Sequence, residues 1–473
     1  MHLKTDILNS YKPIDEEKID QLLAEKINAW NKKWVVLDDD PTGIQTVHDI
    51  SVYTNWKESS LEQGFTEENK LFYILTNSRG LTQSQTTALH NEVADVTEKV
   101  ARQMGKEYMF ISRSDSTLRG HYPLETELLR QKFEMQTGQK IDGEILCPFF
   151  PEGGRFTIDD VHYVRYGQEL IPASETEFAQ DKTFGYQASN MKDYVEEKTG
   201  GKYPAKDVVS ISLETIHDMD IETITNQLMS VTDFNKVIVN AVSYAGIKVF
   251  CVALYTAMKK GKRFMFRTAA GFVKVVGGIS DFPLLTKAQM VQSNQQNGGI
   301  IVVGSYTKKT TAQLEALRGL EQLRFIELNS DLVVDEAALN EEVDRIVKQE
   351  EELLKAGISV VVYTKRTQLV LEGDTKEEIL LRSVRISNAV QALVGKLTVC
   401  PSFVVAKGGI TSNDVGTKAL AVQKATAMGQ IRPGIPVWQT GEESKFPGIP
   451  YVIFPGNVGD DYTLKEAVEC LLG

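Results

Sequence analysis

The sequence is poor in cysteine, has no long unbroken apolar run and carries no basic excess. Its four cysteines, Cys147, Cys251, Cys400 and Cys470, are far apart and form no Cys-x-x-Cys pair. A reduced, cytosolic protein fits this usage better than a disulfide scaffold or a zinc site. Lysine and arginine number 52 against 64 aspartates and glutamates, a net charge of −12 with no basic tract. Bulk attraction to nucleic acid or an anionic membrane is therefore not expected, although local arginines can still hold an anionic metabolite. The most apolar long stretch, residues 237–258, is interrupted by Asn240, Ser243, Gly246 and Lys248, which argues against a transmembrane helix. The N-terminus is acidic where a signal peptide would be apolar. The six histidines show no metal-ligand spacing. A soluble cytoplasmic protein is expected, and 473 residues suffice for two domains.

The most informative stretch is residues 112–120, Ser-Arg-Ser-Asp-Ser-Thr-Leu-Arg-Gly, which follows the apolar run 108–111. Arg113 and Arg119 can grip an anion, Asp115 can accept from hydroxyls, and Ser116 adds a hydroxyl of its own. This inventory suits a small acid that also carries alcohols. A solvated loop with an internal Arg–Asp pair is the alternative.

Three further loops in the first half strengthen the ligand reading. An amphipathic helix over 14–32 leads into a strand at 34–37 and then Asp38-Asp39-Asp40-Pro41-Thr42-Gly43. Three adjacent carboxylates repel one another, so this turn needs partners: substrate hydroxyls, a metal ion, or both. The strand at 71–75 ends in Thr-Asn-Ser-Arg79-Gly, with a helix over 82–104 behind it. The strand at 144–147 opens into Pro-Phe-Phe-Pro-Glu-Gly-Gly-Arg155. In a parallel α/β sheet such loops gather at the carboxyl edge, where ligands bind. Residues 175–186 form either a wall of that site or a surface loop. A helix over 215–229 and a strand at 237–240 follow, and 280–297 reads as the link between domains.

The second half repeats strand, glycine loop and helix. Strand 299–303 is followed by Gly304-Ser305, strand 402–406 by Lys407-Gly408-Gly409-Ile410-Thr411, and strand 451–454 by Pro455-Gly456-Asn457-Val458-Gly459. Another strand is read at 358–363. Capping boxes are expected at Thr411 with Asp414 and at Thr463 with Glu466. Glycine at such turns lets backbone N–H groups approach phosphate; tight strand–helix packing is the alternative. This is no Walker A loop, because Ser305 stands where lysine is required.

Taken together, Asp39-Asp40-Pro-Thr-Gly, Thr-Asn-Ser-Arg79-Gly, the 112–120 stretch, Gly-Ser305, Lys407-Gly-Gly-Ile-Thr411-Ser and Pro-Gly456-Asn-Val-Gly459 resemble the signature set of the four-carbon acid sugar kinases. The resemblance implies a two-domain α/β protein, each domain built on a mostly parallel sheet with flanking helices and the active site in the cleft between them. It implies a sugar-acid-binding domain over 1–285 and an ATP-binding domain over 286–473. The implied reaction is ATP-dependent phosphorylation of a tetronate such as D-threonate, D-erythronate or 3-oxo-tetronate, with Mg²⁺. On that reading Asp39, Asp40 or Asp115 orients or deprotonates the attacking hydroxyl. Arg79, Arg113, Arg119 and Arg155 hold the carboxylate, with Ser116 beside them. Ser305, Gly408, Gly409, Ile410, Thr411, Gly456, Asn457 and Gly459 contact ATP. Two departures bear on the identity of the acid: a long segment over 248–279, and Pro41 where leucine is commoner. A kinase for a longer sugar acid and a non-catalytic nucleotide and metabolite sensor are the alternatives. A homo-oligomer stays open.

Overall fold

Strands buried on both faces need continuous apolar runs rather than alternating ones, and such runs organise the computed structural model of this chain. It describes all residues except Gln368, Val370, 372–374 and Asn457. The chain divides into two compact units, Met1–Gly43 with Asn55–Asp281, and Ile44–Thr54 with Phe282–Gly473.

In the first unit seven parallel strands lie in the order Val209–Ile211, Asn235–Val239, Gly143–Cys147, Phe264–Thr268, Tyr108–Arg113, Lys33–Asp38, Leu71–Leu75. The chain enters at Lys33–Asp38, moves to Leu71–Leu75 on one side and then returns to Tyr108–Arg113 on the other. This reversal is a topological switch point, the place at the carboxyl edge where sheets of this kind bind ligands, and the loops after Asp38 and Arg113 flank it. Helices connect the strands; Gln83–Met104 starts at a reciprocal Thr82–Gln85 box and stops at Gly105, whose φ is +63°. Residues 155–172 add what the sequence pattern did not reveal. Arg155–Ile158, Val161–Tyr166 and Glu169–Pro172 form an antiparallel sheet that Leu3–Lys4 completes.

Two other local expectations change. The helix read over 215–229 is two helices, Leu213–His217 and Ile221–Ser230, broken where Met219 takes a φ of +54°. The long segment over 248–279 is most of a complete α–β–α passage: helix Tyr244–Lys259, strand Phe264–Thr268 and helix Ala270–Val276. Its apolar helix is buried within this unit, which accounts for the hydrophobicity of 237–258 without a membrane.

In the second unit Pro450–Phe454, Val404–Lys407, Ile300–Val303, Ser359–Thr364 and Leu323–Leu328 run parallel in that order. Ile435–Thr440, Lys424–Arg432 and Ile50–Tyr53 extend the sheet antiparallel beyond Pro450–Phe454. The side chains of Ile300–Val303 are fully buried, each contributing about 1.5–3 kcal/mol of apolar burial. This sheet too reverses direction, between Ile300–Val303 and Val404–Lys407, so the loops at Gly304 and Gly408 are neighbours. The expected capping boxes do not form. Gly408 caps the helix Gly409–Asp414, which leaves Thr411 inside it, and Thr463 is the first residue of its helix, with Asp460 accepting from the backbone N–H groups of Tyr462 and Thr463.

Candidate functional site: an arginine–carboxylate cluster and three glycine loops

Asp38 and Arg113 end adjacent strands in register, which forces carboxylate and guanidinium together. Arg113 Nε lies 3.1 Å from Asp38 Oδ1 and its Nη1 3.5 Å from Asp39 Oδ1. A Cβ at Gly43 would fall 2.0 Å from Arg113 Nη2 and 2.1 Å from Asp38 Oδ1, so only glycine fits over this pair. The exit of the third strand is stitched to the same turn: the N–H groups of Thr76 and Asn77 donate to the Asp38 carbonyl. Asn77 then takes a left-handed φ of +50°, and Arg79 forks onto Asp39 at 2.5 and 3.1 Å. Arg79 also lies 3.4 Å from Asp40 and 3.8 Å from Asp115. Asp115 in turn takes Arg119 Nε at 2.7 Å and the Thr117 hydroxyl. The three sequence-predicted carboxylates and Arg79, Arg113 and Arg119 therefore form one network.

Its electrostatics separate the carboxylates. Burial raises Asp38 to about 7 against the opposing charge of Arg113, with Asp39 and Asp40 adding to the rise. Burial likewise raises Asp39, against Arg79 and Arg113. At Asp40 burial is outweighed by Arg79 and the Thr42 hydrogen bonds, and the group falls below its ordinary value. At Asp115 burial is outweighed by Arg79 and Arg119, holding it well below the carboxylate range. Asp39 is 3% exposed, whereas Asp40 and Asp115 are 18% and 11% exposed. Asp40 and Asp115 are thus ionised carboxylates that a ligand hydroxyl can reach, while Asp38 and Asp39 chiefly position Arg113 and Arg79.

Arg155 differs from the other arginines. It is buried; its Nη1 donates to the Gly153 carbonyl, and its Nε has no acceptor. Among the described residues no carboxylate lies within ion-pair distance of it. Phe178 carries Arg119 and Arg155 at 5.1 and 5.5 Å from its ring centre, so residues 175–186 do form a wall of this cluster, with Asp181 3.8 Å from Arg119.

Several residues that sequence reasoning missed hold the 112–120 loop in place. His162, Tyr186 and Tyr194 donate to the carbonyls of Ser116, Thr117 and Leu118 at 2.7, 2.8 and 2.8 Å. Because a carbonyl only accepts, His162 Nε2 carries the proton, and Nδ1 accepts from the Thr157 hydroxyl at 3.0 Å. These bonds stabilise Leu118 at a φ of +68°. Arg267, at the end of the unpredicted strand Phe264–Thr268, donates to the Arg119 carbonyl at 2.9 Å and lies 3.6 Å from Glu125. Its signal was present: Phe264-Met-Phe-Arg-Thr repeats the apolar-run-then-arginine pattern of Phe110-Ile-Ser-Arg113.

In the second unit the loops after three adjacent strands meet. A Cβ on Gly304 would lie 2.5 Å from Thr411 Oγ1, and one on Gly408, whose φ is +112°, would lie 3.8 Å from Ser305 Cβ. Ser305 and Gly408–Thr411 are thus brought together. Lys407 is fully buried and donates to the carbonyls of Pro455 and Gly456 at 2.6 and 3.2 Å, tying the third loop to the second. Burial, with help from Lys309, lowers it to about 7. Ile410 and Gly456 are exposed, Gly459 takes a φ of +78°, and Asn457 lies outside the described residues. Among the described residues no group of three or more His, Cys, Asp or Glu is placed to hold a metal ion, and no helix is long and apolar enough to cross a membrane.

Residues 34–276 match the model of a sugar-binding N-terminal domain, and residues 300–464 match that of a nucleotide-binding C-terminal domain. The chain belongs to the four-carbon acid sugar kinase family. Solved structures with a similar fold include a Haemophilus influenzae protein of the DUF1537 family, with a TM-score of 0.60 at 16% identity, over 92% of this chain and 100% of that one. A Salmonella typhimurium LT2 protein described as a putative tRNA synthase has a TM-score of 0.64 at 14% identity, over 92% and 98%. At these identities the likeness is one of fold. No curated protein sequence matches the chain. The arginine–carboxylate cluster thus lies in the sugar-binding domain of the family and the glycine loops in its nucleotide-binding domain.

Proposed function

We propose that this protein is an ATP-dependent kinase that phosphorylates a hydroxyl of a four-carbon sugar acid. The observation that carries the reading is Arg155, a buried guanidinium without a carboxylate partner among the described residues, in a sugar-binding domain. A plain sugar needs no such charge; a sugar acid does. Arg155 would take the carboxylate, with Arg119 across Phe178 as the second cation. The ionised Asp40 and Asp115 would accept hydrogen bonds from the substrate alcohols and orient the one that attacks. Phosphoryl transfer depends mainly on positioning and charge neutralisation, so weakly basic carboxylates are adequate for that task. Mg²⁺ enters as part of the MgATP substrate, bound mostly through phosphate oxygens and water. The N–H groups of the Gly304–Ser305 and Gly408–Thr411 turns would receive the phosphates.

The test is ATP consumption by the purified protein with Mg²⁺ against D-threonate, D-erythronate, their enantiomers, 3-oxo-tetronates and five- and six-carbon acids. Turnover on a four-carbon acid is the expected result. Turnover confined to a longer acid would move the substrate class. Nucleotide binding without turnover on any acid would replace the kinase reading with a sensor.

A further inference from the structure

Arg366 is half-buried beside the first glycine loop, and nothing in the reaction scheme above uses it. Its Nη2 donates to the Ser305 carbonyl at 2.5 Å and to the Thr311 hydroxyl at 3.0 Å. Its Nη1 is buried without an acceptor, and among the described residues no carboxylate pairs with it. Burial lowers its pKa, as expected for a guanidinium short of negative partners. One residue earlier in the same loop, the Gly304 carbonyl accepts from the Thr364 hydroxyl at 3.2 Å. Thr364 and Arg366 both leave the strand Ser359–Thr364, which pairs in parallel with Ile300–Val303. Two successive carbonyls of the loop are therefore pinned from the same neighbouring strand.

The consequence follows from peptide geometry. A trans peptide is planar, so its C=O and N–H point in opposite directions. Holding the carbonyls of Gly304 and Ser305 turns the N–H groups of Ser305 and Tyr306 away from Arg366. Neither of these N–H groups has a hydrogen-bond partner among the described residues. These two N–H groups stand just before the helix Lys308–Leu317, where unpartnered backbone donors can receive an anion.

We propose that Arg366 is a positioning residue for nucleotide binding: it clamps the Ser305 carbonyl so that the Tyr306 N–H faces the phosphate chain, and its charge strengthens that peptide as a donor. The inference rests on the kinase reading. Lysine reproduces it only in part: an ammonium can donate to both acceptors as Nη2 does, but it lacks the planar guanidinium whose Nε also faces the Thr311 hydroxyl at 3.4 Å.

The experiment measures affinity for AMP, ADP and a non-hydrolysable ATP analogue in the full-length protein, its Arg366→Met and Arg366→Lys variants, and Thr311→Val. Losing an aligned, charge-backed donor should weaken the ATP analogue about tenfold or more in Arg366→Met. The loss for AMP should be smaller, and affinity for the sugar acid should not change. Arg366→Lys should recover only part of the loss, and Thr311→Val should fall between wild type and Arg366→Met. In ¹⁵N spectra the nucleotide-induced shift of the Tyr306 amide should shrink in Arg366→Met. Equal weakening of AMP and the ATP analogue, or an unchanged Tyr306 shift, would overturn the positioning role. Wild-type protein that binds no nucleotide would instead overturn the kinase reading.

Discussion

Replacing Arg155 with methionine should make the protein more stable and worse at its task, and the two effects have separate origins. In the free protein Arg155 is 8% exposed, its Nε has no acceptor, and no carboxylate among the described residues lies within ion-pair distance of it. An unsatisfied buried donor costs about 1–3 kcal/mol. The retained bond to the Gly153 carbonyl offsets part of that. Methionine keeps most of the aliphatic stem against Phe178 and removes the unsatisfied group, for a net gain of about 1 kcal/mol, which is roughly 2–4 °C in Tm for a unit of this size. Bound acid reverses the balance, because Arg155 then gains a charged partner. Losing a charge-assisted contact of about 1.5–3 kcal/mol raises KM for the acid by about 10- to 150-fold. Calorimetric Tm and initial rates with varied acid, at saturating ATP, read both effects, with KM for ATP as the control. A fall in Tm of several degrees with an unchanged KM for the acid would refute the argument and make Arg155 a structural residue.

His162 is pushed down to about 4, first by burial and further by Arg155, while the Ser116 carbonyl opposes the shift. A depressed folded-state value contributes stability that is present above the unfolded value near 6.5 and lost as pH falls through 4, here up to about 3 kcal/mol. Urea midpoints at pH 7, 5 and 4 should therefore fall more steeply in wild type than in His162→Gln, and parallel curves would exclude the histidine. Lys407, lowered to about 7 by burial and Lys309, should be recharged when a polyphosphate binds nearby. Nucleotide binding at pH 8 should then take up protons, seen as different heats in buffers of different ionisation enthalpy; Lys407→Met should abolish the difference. Gly408→Ala forces a side chain onto a φ of +112°, a strain of about 1–3 kcal/mol. It should weaken nucleotide binding at least severalfold while leaving acid binding intact, as separate titrations would test.

The chemistry at strand ends was legible because a βα repeat delivers each such end to the same edge. Apolar runs that stop at Asp38, Leu75 or Arg113 therefore announce where polar side chains collect. What the sequence does not carry is lateral order. Phe264–Thr268 is the last strand of the first unit in sequence, yet it lies between Gly143–Cys147 and Tyr108–Arg113 in space, and that insertion alone brings Arg267 to the carbonyl of Arg119. Nor can spacing reveal side chains that act on backbone. His162, Tyr186 and Tyr194 look like scattered core residues until the 116–118 carbonyls are seen pointing at them. The eleven residues Ile44–Thr54 are a sharper case. They follow the acidic turn directly, yet their strand pairs with Lys424–Arg432 of the second unit, a partner nearly the whole chain away.

These blind spots bear on specificity. Asp38, Asp39, Arg79 and Arg113 are held by one another as ion pairs, which leaves them little freedom to move and distinguish one acid from another. The cation of the cluster without an ion-pair partner among the described residues is Arg155, set beside Phe178, near Asp181 and on the antiparallel sheet over 155–172. That region had the weakest sequence pattern in the first half, because its short hairpins bury one face and its loops follow no helical period. If discrimination among four-carbon acids resides there, exchanging residues 175–186 between relatives of different substrate preference should move KM among the acids without moving it for ATP. Exchanging the 112–120 loop should lower turnover on all of them alike.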